Sequence, residues 1–149
     1  MTTILVVDND AGRRRVDRIV LEYADHAVVE VASRSAAARW LKDAALDLVI
    51  VNVTMPDRDG IETIRTLRAL GLDVPVLATS DSGCVERLEC VDSALDVGAD
   101  RTLAKPYRAR ELLAIVDDML RQRWLQAASH TPVQPDRTGR PAASGHPAG

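Results

Sequence analysis

The sequence is poor in several residue types, and each shortage argues against a class of protein. It has 149 residues with two cysteines, no phenylalanine and 3% aromatic residues. Two cysteines are too few for a disulfide framework, so we expect reduced thiols in a cytoplasmic protein. No apolar run approaches the roughly 20 residues that a membrane-spanning helix needs, and the N-terminus lacks a secretory signal pattern. A net charge of −3 offers no strongly basic surface, so we expect no nucleic-acid partner.

What is present has the profile of one folded domain and a tail. Apolar residues make up 46% of the chain and charged residues 28%, which is typical of a globular protein. We predict one domain over residues 1–126. Residues 127–149 are rich in Pro, Gly, Ser and Ala, and we predict a disordered tail there. The tail holds His130 and His146, which make a poor metal site because they lie far apart in a flexible segment.

Five short apolar segments alternate with helix-length segments in the predicted domain. The apolar segments are predicted strands, at residues 4–7, 28–29, 48–51, 76–77 and around 103. They are continuous apolar runs, which indicates strands covered on both faces. Repeated strand–helix units favour a parallel sheet with helices on both sides, which is a doubly wound α/β fold.

Apolar residues at helical spacing predict which helix faces pack on the sheet. These are Val16, Ile19, Val20 and Tyr23 on the first helix, Ile61, Ile64, Leu67 and Leu70 on the third, Leu88, Val91 and Leu95 on the fourth, and Leu113, Val116, Leu120 and Trp124 on the fifth. Asp10 is a predicted helix cap, and Gly71 and Gly98 are predicted helix ends. We predict Trp40 as a packing residue of the second helix, and place Cys84 and Cys90 on the fourth.

Polar residues follow the predicted strands where each strand ends. They are Asp8, Asn9 and Asp10 after the first, Asn52 after the third, Ser80 and Asp81 after the fourth, and Lys105 after the fifth. Ligands bind doubly wound sheets beyond the carboxyl ends of the strands, so these residues are predicted to share one pocket. Carboxylates that hold Mg²⁺, a nucleophilic Asp, a hydroxyl and a lysine in such a pocket would transfer a phosphoryl group.

Four segments of the chain carry a family resemblance. ILVVDND, DLVIVNVTMPDRDG, VPVLATS and GADRTLAKPY resemble, in order and spacing, segments of the response-regulator receiver domain of two-component signalling. The resemblance covers residues 3–107. It implies a CheY-like, flavodoxin-like fold: a five-stranded parallel sheet in the order 2-1-3-4-5 with five helices. It also implies a stand-alone receiver.

The resemblance gives each pocket position a role, and two positions depart from the pattern. Asp8 matches the first acid, Ser80 the switch hydroxyl and Lys105 the pocket lysine. Thr54 would offer a backbone carbonyl to a metal, and Thr102 stands where many receivers have Tyr or Phe. The departures are two asparagines: Asn9 replaces a metal-contacting acid, and Asn52 replaces the phosphoacceptor Asp.

The two asparagines remove the chemistry that the resemblance would imply. The neutral amide of Asn52 cannot form an acyl phosphate by the family route. The magnesium site at Asp8, Asn9, Asn52 and Thr54 is degenerate because it lacks two anionic ligands, so we expect no bound cofactor. Asp8 and Lys105 cancel each other's charge. Asp81 adds a carboxylate at the rim, as a built-in anion beside Lys105 or as a solvated side chain.

The leading functional prediction is a non-enzymatic, atypical single-domain response regulator, or pseudo-receiver. Its partner would be a histidine kinase, a phosphotransfer protein or a downstream regulator, with a possible homodimer through the face of helix four, strand five and helix five. One alternative is a phosphorylatable receiver that uses another Asp, such as Asp10 or Asp81, or an engineered Asp-to-Asn form. A remote alternative is a haloacid-dehalogenase-type phosphatase with Asp8 as nucleophile and Asp10 as acid/base.

Overall fold

The computed structural model describes residues 1–43 and 45–129. In that part of the chain, strands and helices alternate along the sequence: β1 Thr3–Val7, α1 Ala11–Tyr23, β2 Ala27–Val31, α2 Arg34–Asp43, β3 Leu48–Asn52, α3 Asp59–Ala69, β4 Val76–Ser80, α4 Arg87–Val97, β5 Arg101–Ala104 and α5 Ala109–Ser129. A short 3-10 turn, Pro56–Arg58, joins β3 to α3. Each strand contains or overlaps a predicted apolar run, so the predicted α/β alternation is confirmed.

The five strands form one parallel sheet in the order β2-β1-β3-β4-β5. This is the doubly wound, CheY-like order that the family resemblance implies. The chain first adds β2 on one side of β1 and then crosses to β3 on the other side. In the register of the central pair, Val7 lies beside Val51, so the residues that follow them, Asp8 and Asn52, are neighbours at the carboxyl end of the sheet.

The central strands are mostly apolar, since their alternate residues enter two separate cores and polar residues come only near their ends. Leu5 and Val7 of β1 pack on the side of α2, α3 and α4, where Ile61, Ile64 and Leu67 are buried. Ile4 and Val6 pack on the other side, against buried residues of α1 and α5. The sheet is therefore covered on both faces, as continuous apolar runs indicate.

The predicted face of α1 is wrong in part: of its four residues only Val20 is half-buried against the core. Val16, Ile19 and Tyr23 are 59%, 60% and 88% exposed, whereas Asp17 and Leu21 are buried. The physical reason is Asp17. Its carboxylate accepts a hydrogen bond from the Tyr107 hydroxyl, so this polar residue can be buried where apolar spacing predicts only apolar residues.

The predicted face of α4 is also wrong in part, because α4 packs through a small residue. Ala94 is fully buried, while Leu88 and Leu95 are 72% and 44% exposed and Val91 is half-buried. A small side chain at the contact lets the helix approach the core closely and leaves the leucines outside. Cys84 precedes α4 instead of lying on it; Cys90 is on the helix as predicted.

On α3 and α5 the observed burial agrees better with the predicted faces, and the main differences are at the two predicted packing residues, Trp40 of α2 and Trp124 of α5. Ile61, Ile64 and Leu67 are buried as predicted, and Leu70 is half-exposed because it lies just past the end of α3. On α5 Val116 is buried, with Leu112 and Met119 buried beside it, whereas Leu113 and Leu120 are half-buried. Trp40 and Trp124 are 42% and 77% exposed, so neither is a core residue.

The last helix crosses the predicted domain boundary. It continues to Ser129, so residues 127–129, predicted as the start of the tail, are helical. Gln126, Ala127 and Ala128 favour helix, which explains the extension. Residues 130–149, with His130 and His146, lie outside the described residues. Within residues 1–43 and 45–129, no helix has the length and apolarity to cross a membrane.

One arginine ties together the segments that lead into β4 and β5. The Arg68 guanidinium donates hydrogen bonds to the carbonyl oxygens of Leu72 and Val74, both at 2.8 Å, and to that of Gly98 at 2.9 and 3.1 Å. It also forms an ion pair with Asp100 at 3.1 Å. Because these carbonyls have no strand partner, the arginine replaces the backbone pairing that the segments lack.

We therefore expect Arg68→Lys to lower the free energy of unfolding by about 1–3 kcal/mol, because one ammonium cannot satisfy all of these acceptors. Urea unfolding measures the change. The matched control is Arg65→Lys on the same helix, where the side chain is 59% exposed and pairs only with Glu62 among the ion pairs found. Equal losses in the two variants would contradict the role given to Arg68.

Candidate functional site

The carboxyl ends of the central strands bring four predicted pocket residues together. Asp8 follows β1, Asn52 ends β3, Ser80 ends β4 and Lys105 follows β5. All four are buried, with exposures of 2%, 1%, 2% and 7%. Their convergence follows from the strand order, which sets β1, β3 and β4 side by side with β5 at the edge.

Asp8 and Lys105 form a buried ion pair at the base of the pocket. The ammonium nitrogen Nζ of Lys105 lies 2.6 Å from Oδ2 of Asp8, and the two side chains are 7% and 3% exposed. The other oxygen of Asp8 accepts hydrogen bonds from the Asp10 backbone N–H at 3.0 Å and from the Asn52 amide at 3.3 Å. A buried carboxylate is tolerated only with such compensation.

The orientation of the Asn52 amide follows from its neighbour Thr54. Oδ1 of Asn52 accepts a hydrogen bond from the Thr54 backbone N–H at 2.9 Å and another from the Thr54 hydroxyl at 2.7 Å. A backbone N–H can only donate, so the amide oxygen must face Thr54. The amide nitrogen therefore faces the two carboxylates of Asp8 and Asp81, each at 3.3 Å.

Asp81 lies at the rim of the pocket among cationic groups. One carboxylate oxygen is 3.3 Å from Nζ of Lys105 and also contacts the Arg13 guanidinium. The Asp81 backbone N–H donates to the Thr54 hydroxyl at 3.0 Å. Burial acts to raise the pKa of Asp81, but the Lys105 ammonium and the hydrogen bond from the Asn52 amide outweigh it and hold the pKa below the ordinary value of 3.8. Asp81 is therefore a carboxylate at neutral pH.

The remaining predicted site residues lie at the edge of this arrangement or outside it. Asn9 is exposed. The carboxylate of Asp10 accepts hydrogen bonds from the backbone N–H groups of Gly12 and Arg13, so it caps α1 as predicted. Thr102 is half-buried in β5 and lies beside Ala78, two residues short of the strand end.

The donor set in the pocket does not fit a divalent cation such as Mg²⁺. Both oxygens of Asp8 are hydrogen-bonded or ion-paired, and the oxygen of Asn52 is turned toward Thr54. In the part of the chain that the structure describes, no group of three or more His, Cys, Asp or Glu side chains is arranged to hold a metal. Hard cations need several free oxygen ligands, which these residues do not present.

A second polar pair, the buried Asp17 and the half-buried Tyr107, lies beside the pocket and is absent from the sequence predictions. The Tyr107 hydroxyl is 2.8 and 2.9 Å from the two carboxylate oxygens of Asp17, which is 5% exposed. Both residues, with Arg13, Val16 and Lys105, line a cleft of about 330 Å³. The available signal was an Asp between apolar residues of α1 and a Tyr two residues after Lys105.

Burial changes the pKa of the Asp17 carboxyl between the unfolded and the folded state. Desolvation raises the pKa of the Asp17 carboxyl above 3.8, although the Tyr107 hydroxyl and Lys105 oppose the shift. A carboxyl with a higher pKa in the folded than in the unfolded state favours folding while it is protonated. This stabilisation is present below pH 3.8 and is lost as the pH rises through the folded-state pKa.

Asp17→Asn should therefore raise the free energy of unfolding at pH 7, by about 1 kcal/mol, because the amide keeps an acceptor for Tyr107 without a buried charge. The gain should shrink as the pH falls toward 4. Urea unfolding at several pH values measures it. Tyr107→Phe, which leaves the Asp17 carboxylate unsatisfied, should instead lower the free energy of unfolding. A less stable Asp17→Asn variant at pH 7 would contradict this account.

The sequence of this chain is similar to that of a known protein family. The profile of the response regulator receiver domain matches residues 4–117. This chain belongs to the response-regulator receiver family. The response regulator MprA of Mycobacterium sp. is 36% identical over 120 residues, which cover 80% of this chain and 50% of MprA. The regulatory protein VirG of Agrobacterium tumefaciens is 36% identical over 125 residues, which cover 80% of this chain and 44% of VirG.

This receiver domain thus spans about half the length of the curated relatives it matches. Solved structures share its fold. A CheY-like receiver domain protein from Methanospirillum hungatei superposes with a TM-score of 0.75 at 22% identity, over 85% of this chain and 98% of the other. NtrX from Brucella abortus gives a TM-score of 0.78 at 23% identity, over 87% of this chain and 29% of NtrX.

Proposed function

We propose that this receiver domain is a pseudo-receiver: it acts in two-component or phosphorelay signalling through protein contacts and takes up no phosphoryl group at residue 52. The observation that carries the proposal is the Asn52 amide, which donates hydrogen bonds to both Asp8 and Asp81. A side chain with this role has to be a donor. An aspartate at the same place would face two carboxylates at contact distance and repel both.

The chemistry of residue 52 supports this proposal. Phosphoryl uptake by the family route needs a carboxylate oxygen as nucleophile. The nitrogen lone pair of an amide is delocalised, and the amide oxygen of Asn52 accepts two hydrogen bonds from Thr54. Asn52 therefore offers no nucleophilic atom to an incoming phosphoryl group, and we propose no catalytic step for this chain.

The charges in the pocket support a receiver that needs no metal cofactor. Two cations, Arg13 and Lys105, contact two pocket carboxylates, Asp8 and Asp81, so the formal charge of these four groups is zero. The exposed carboxylate of Asp10 also lies 3.7 Å from the Arg13 guanidinium. Among these four groups a Mg²⁺ ion would find no excess negative charge to neutralise. It would also have to displace Lys105 from Asp8, which costs a buried ion pair.

The two other candidate acceptors are already engaged. Asp10 caps α1 through two backbone N–H groups, and Asp81 pairs with Lys105 and Arg13. The hypothesis that the chain is a phosphatase with Asp8 as nucleophile is disfavoured, because Lys105 holds the Asp8 carboxylate in an ion pair. Phosphoryl transfer to another Asp and a phosphatase with Asp8 as nucleophile both require a phosphorylated aspartate, so measuring phosphoryl uptake tests both.

The proposed partner is a protein of a phosphorelay: a histidine kinase, a phosphotransfer protein or a downstream regulator in the cytoplasm. The face formed by α4, β5 and α5 is the proposed contact surface, with homodimerisation as one form of it. Leu88 and Leu95 of α4 are exposed there, at 72% and 44%. The two leucines are seven residues apart on α4, so they share one side of the helix and together offer apolar surface to a protein partner.

Intact-mass measurement after incubation with acetyl phosphate and Mg²⁺ tests the proposal. We expect no phosphoryl gain by the unchanged protein, because residue 52 is no nucleophile. The variant Asn9→Asp/Asn52→Asp restores both acids and should gain one phosphoryl group. Asn9→Asp alone is the matched control; it restores a metal ligand without the acceptor and should stay unmodified.

A stable phosphoryl gain by the unchanged protein would contradict the proposal. Loss of that mass on treatment with hydroxylamine would then identify an acyl phosphate and favour the reading in which Asp10, Asp81 or Asp8 is the acceptor. Hydrolysis of a generic phosphate ester by the unchanged protein would favour the phosphatase.

A further inference from the structure

The segment that joins β4 to α4, residues 81–86, is held to the pocket mainly through its first residue. Asp81 contacts Lys105, Arg13, Asn52 and Thr54, which belong to four other parts of the fold. Most of the remaining segment is exposed: Ser82, Gly83, Val85 and Glu86 face solvent, with Val85 at 100%, and only Cys84 is half-buried. The position of the segment therefore depends on what Asp81 binds.

The groups around the Asp81 carboxylate are all hydrogen-bond donors. The ammonium of Lys105 and the guanidinium of Arg13 approach one oxygen, and the Asn52 amide N–H approaches the other. Two cations and an amide that surround one carboxylate form a site for an oxyanion, such as a carboxylate or a phosphate. In this chain the oxyanion is the carboxylate of Asp81 itself.

We infer that Asp81 is a resident anion, which fills the oxyanion site formed by Lys105, Asn52 and Arg13 and so holds residues 81–86 closed over the pocket. The inference rests on the proposed function, since a phosphoryl group on residue 52 would compete with Asp81 for Lys105. The inference adds a fixed conformation to the proposed function, because Asp81 holds residues 81–86 in one position over the pocket.

The two cations have different parts in this arrangement. Lys105 is 7% exposed and is fixed by Asp8, so it attracts Asp81 with little screening by water. The Arg13 side chain is 47% exposed and extends from α1 across the rim, so its attraction is screened. Lys105 therefore anchors the carboxylate, while Arg13 links the segment to α1.

Amide hydrogen exchange of a peptide that covers residues 81–90 tests the inference in the intact protein. Asp81→Asn removes the charge but keeps the size, and exchange should accelerate about tenfold because opening no longer breaks an ion pair with Lys105. Arg13→Gln should accelerate it about threefold, as for an exposed pair. Arg15→Gln and Asp92→Asn are matched controls; both residues are exposed and should leave the exchange rate unchanged.

The double variant Arg13→Gln/Asp81→Asn separates a shared contact from two independent effects. Exchange should be no faster in it than in Asp81→Asn alone, since Arg13 acts through Asp81. Accelerations that multiply, or an Asp81→Asn variant with the exchange rate of the unchanged protein, would overturn the inference.

Inorganic phosphate provides an independent test of the oxyanion site. In Asp81→Asn the site is free of its resident anion, so millimolar phosphate should slow the exchange of residues 81–90 again, relative to chloride at equal ionic strength. It should not do so in the double variant, which lacks Arg13. Absence of any phosphate effect on Asp81→Asn would overturn the assignment of an oxyanion site. Phosphoryl gain by the unchanged protein, in contrast, bears on the proposed function.

Discussion

The pocket depends on the buried ion pair between Asp8 and Lys105. Their charged atoms are 2.6 Å apart and almost fully shielded from water. Loss of one partner from such a pair leaves an uncompensated buried charge and typically costs about 3–5 kcal/mol. The two ends of the pair lie 97 residues apart in the chain, so the contact also fixes the carboxyl end of β1 to that of β5 across β3 and β4.

The neighbours of this pair keep the pocket electrically balanced. Asn52 donates to Asp8 without adding a charge, and Asp81 is matched by Arg13. In a receiver that binds Mg²⁺, the metal would supply the positive charge that three carboxylates require. In the proposed pseudo-receiver, Arg13 and Lys105 supply it, and the asparagines at positions 9 and 52 remove the carboxylates that would demand more.

Most of the fold was predictable from the sequence, because continuous apolar runs mark buried parallel strands and the strand ends place Asp8, Asn52, Ser80 and Lys105 at one edge. Helix faces were less predictable. Apolar spacing favours Val16 and Ile19 on α1, but Asp17 is buried instead, since Tyr107 satisfies its carboxylate from a position 90 residues away. Likewise, the contact between Arg13 and Asp81 spans 68 residues, and no local pattern indicates it.

The most direct test of the central claim is a magnesium titration followed by backbone amide chemical shifts of residues 8–10 and 52–54. If Lys105 and Arg13 take the place of the metal charge, the unchanged protein should show no saturable shifts at millimolar Mg²⁺. The variant Asn9→Asp/Asn52→Asp should show them, because its added carboxylates restore the excess negative charge. Saturable shifts in the unchanged protein at the same millimolar Mg²⁺ would contradict a pocket that is balanced without metal.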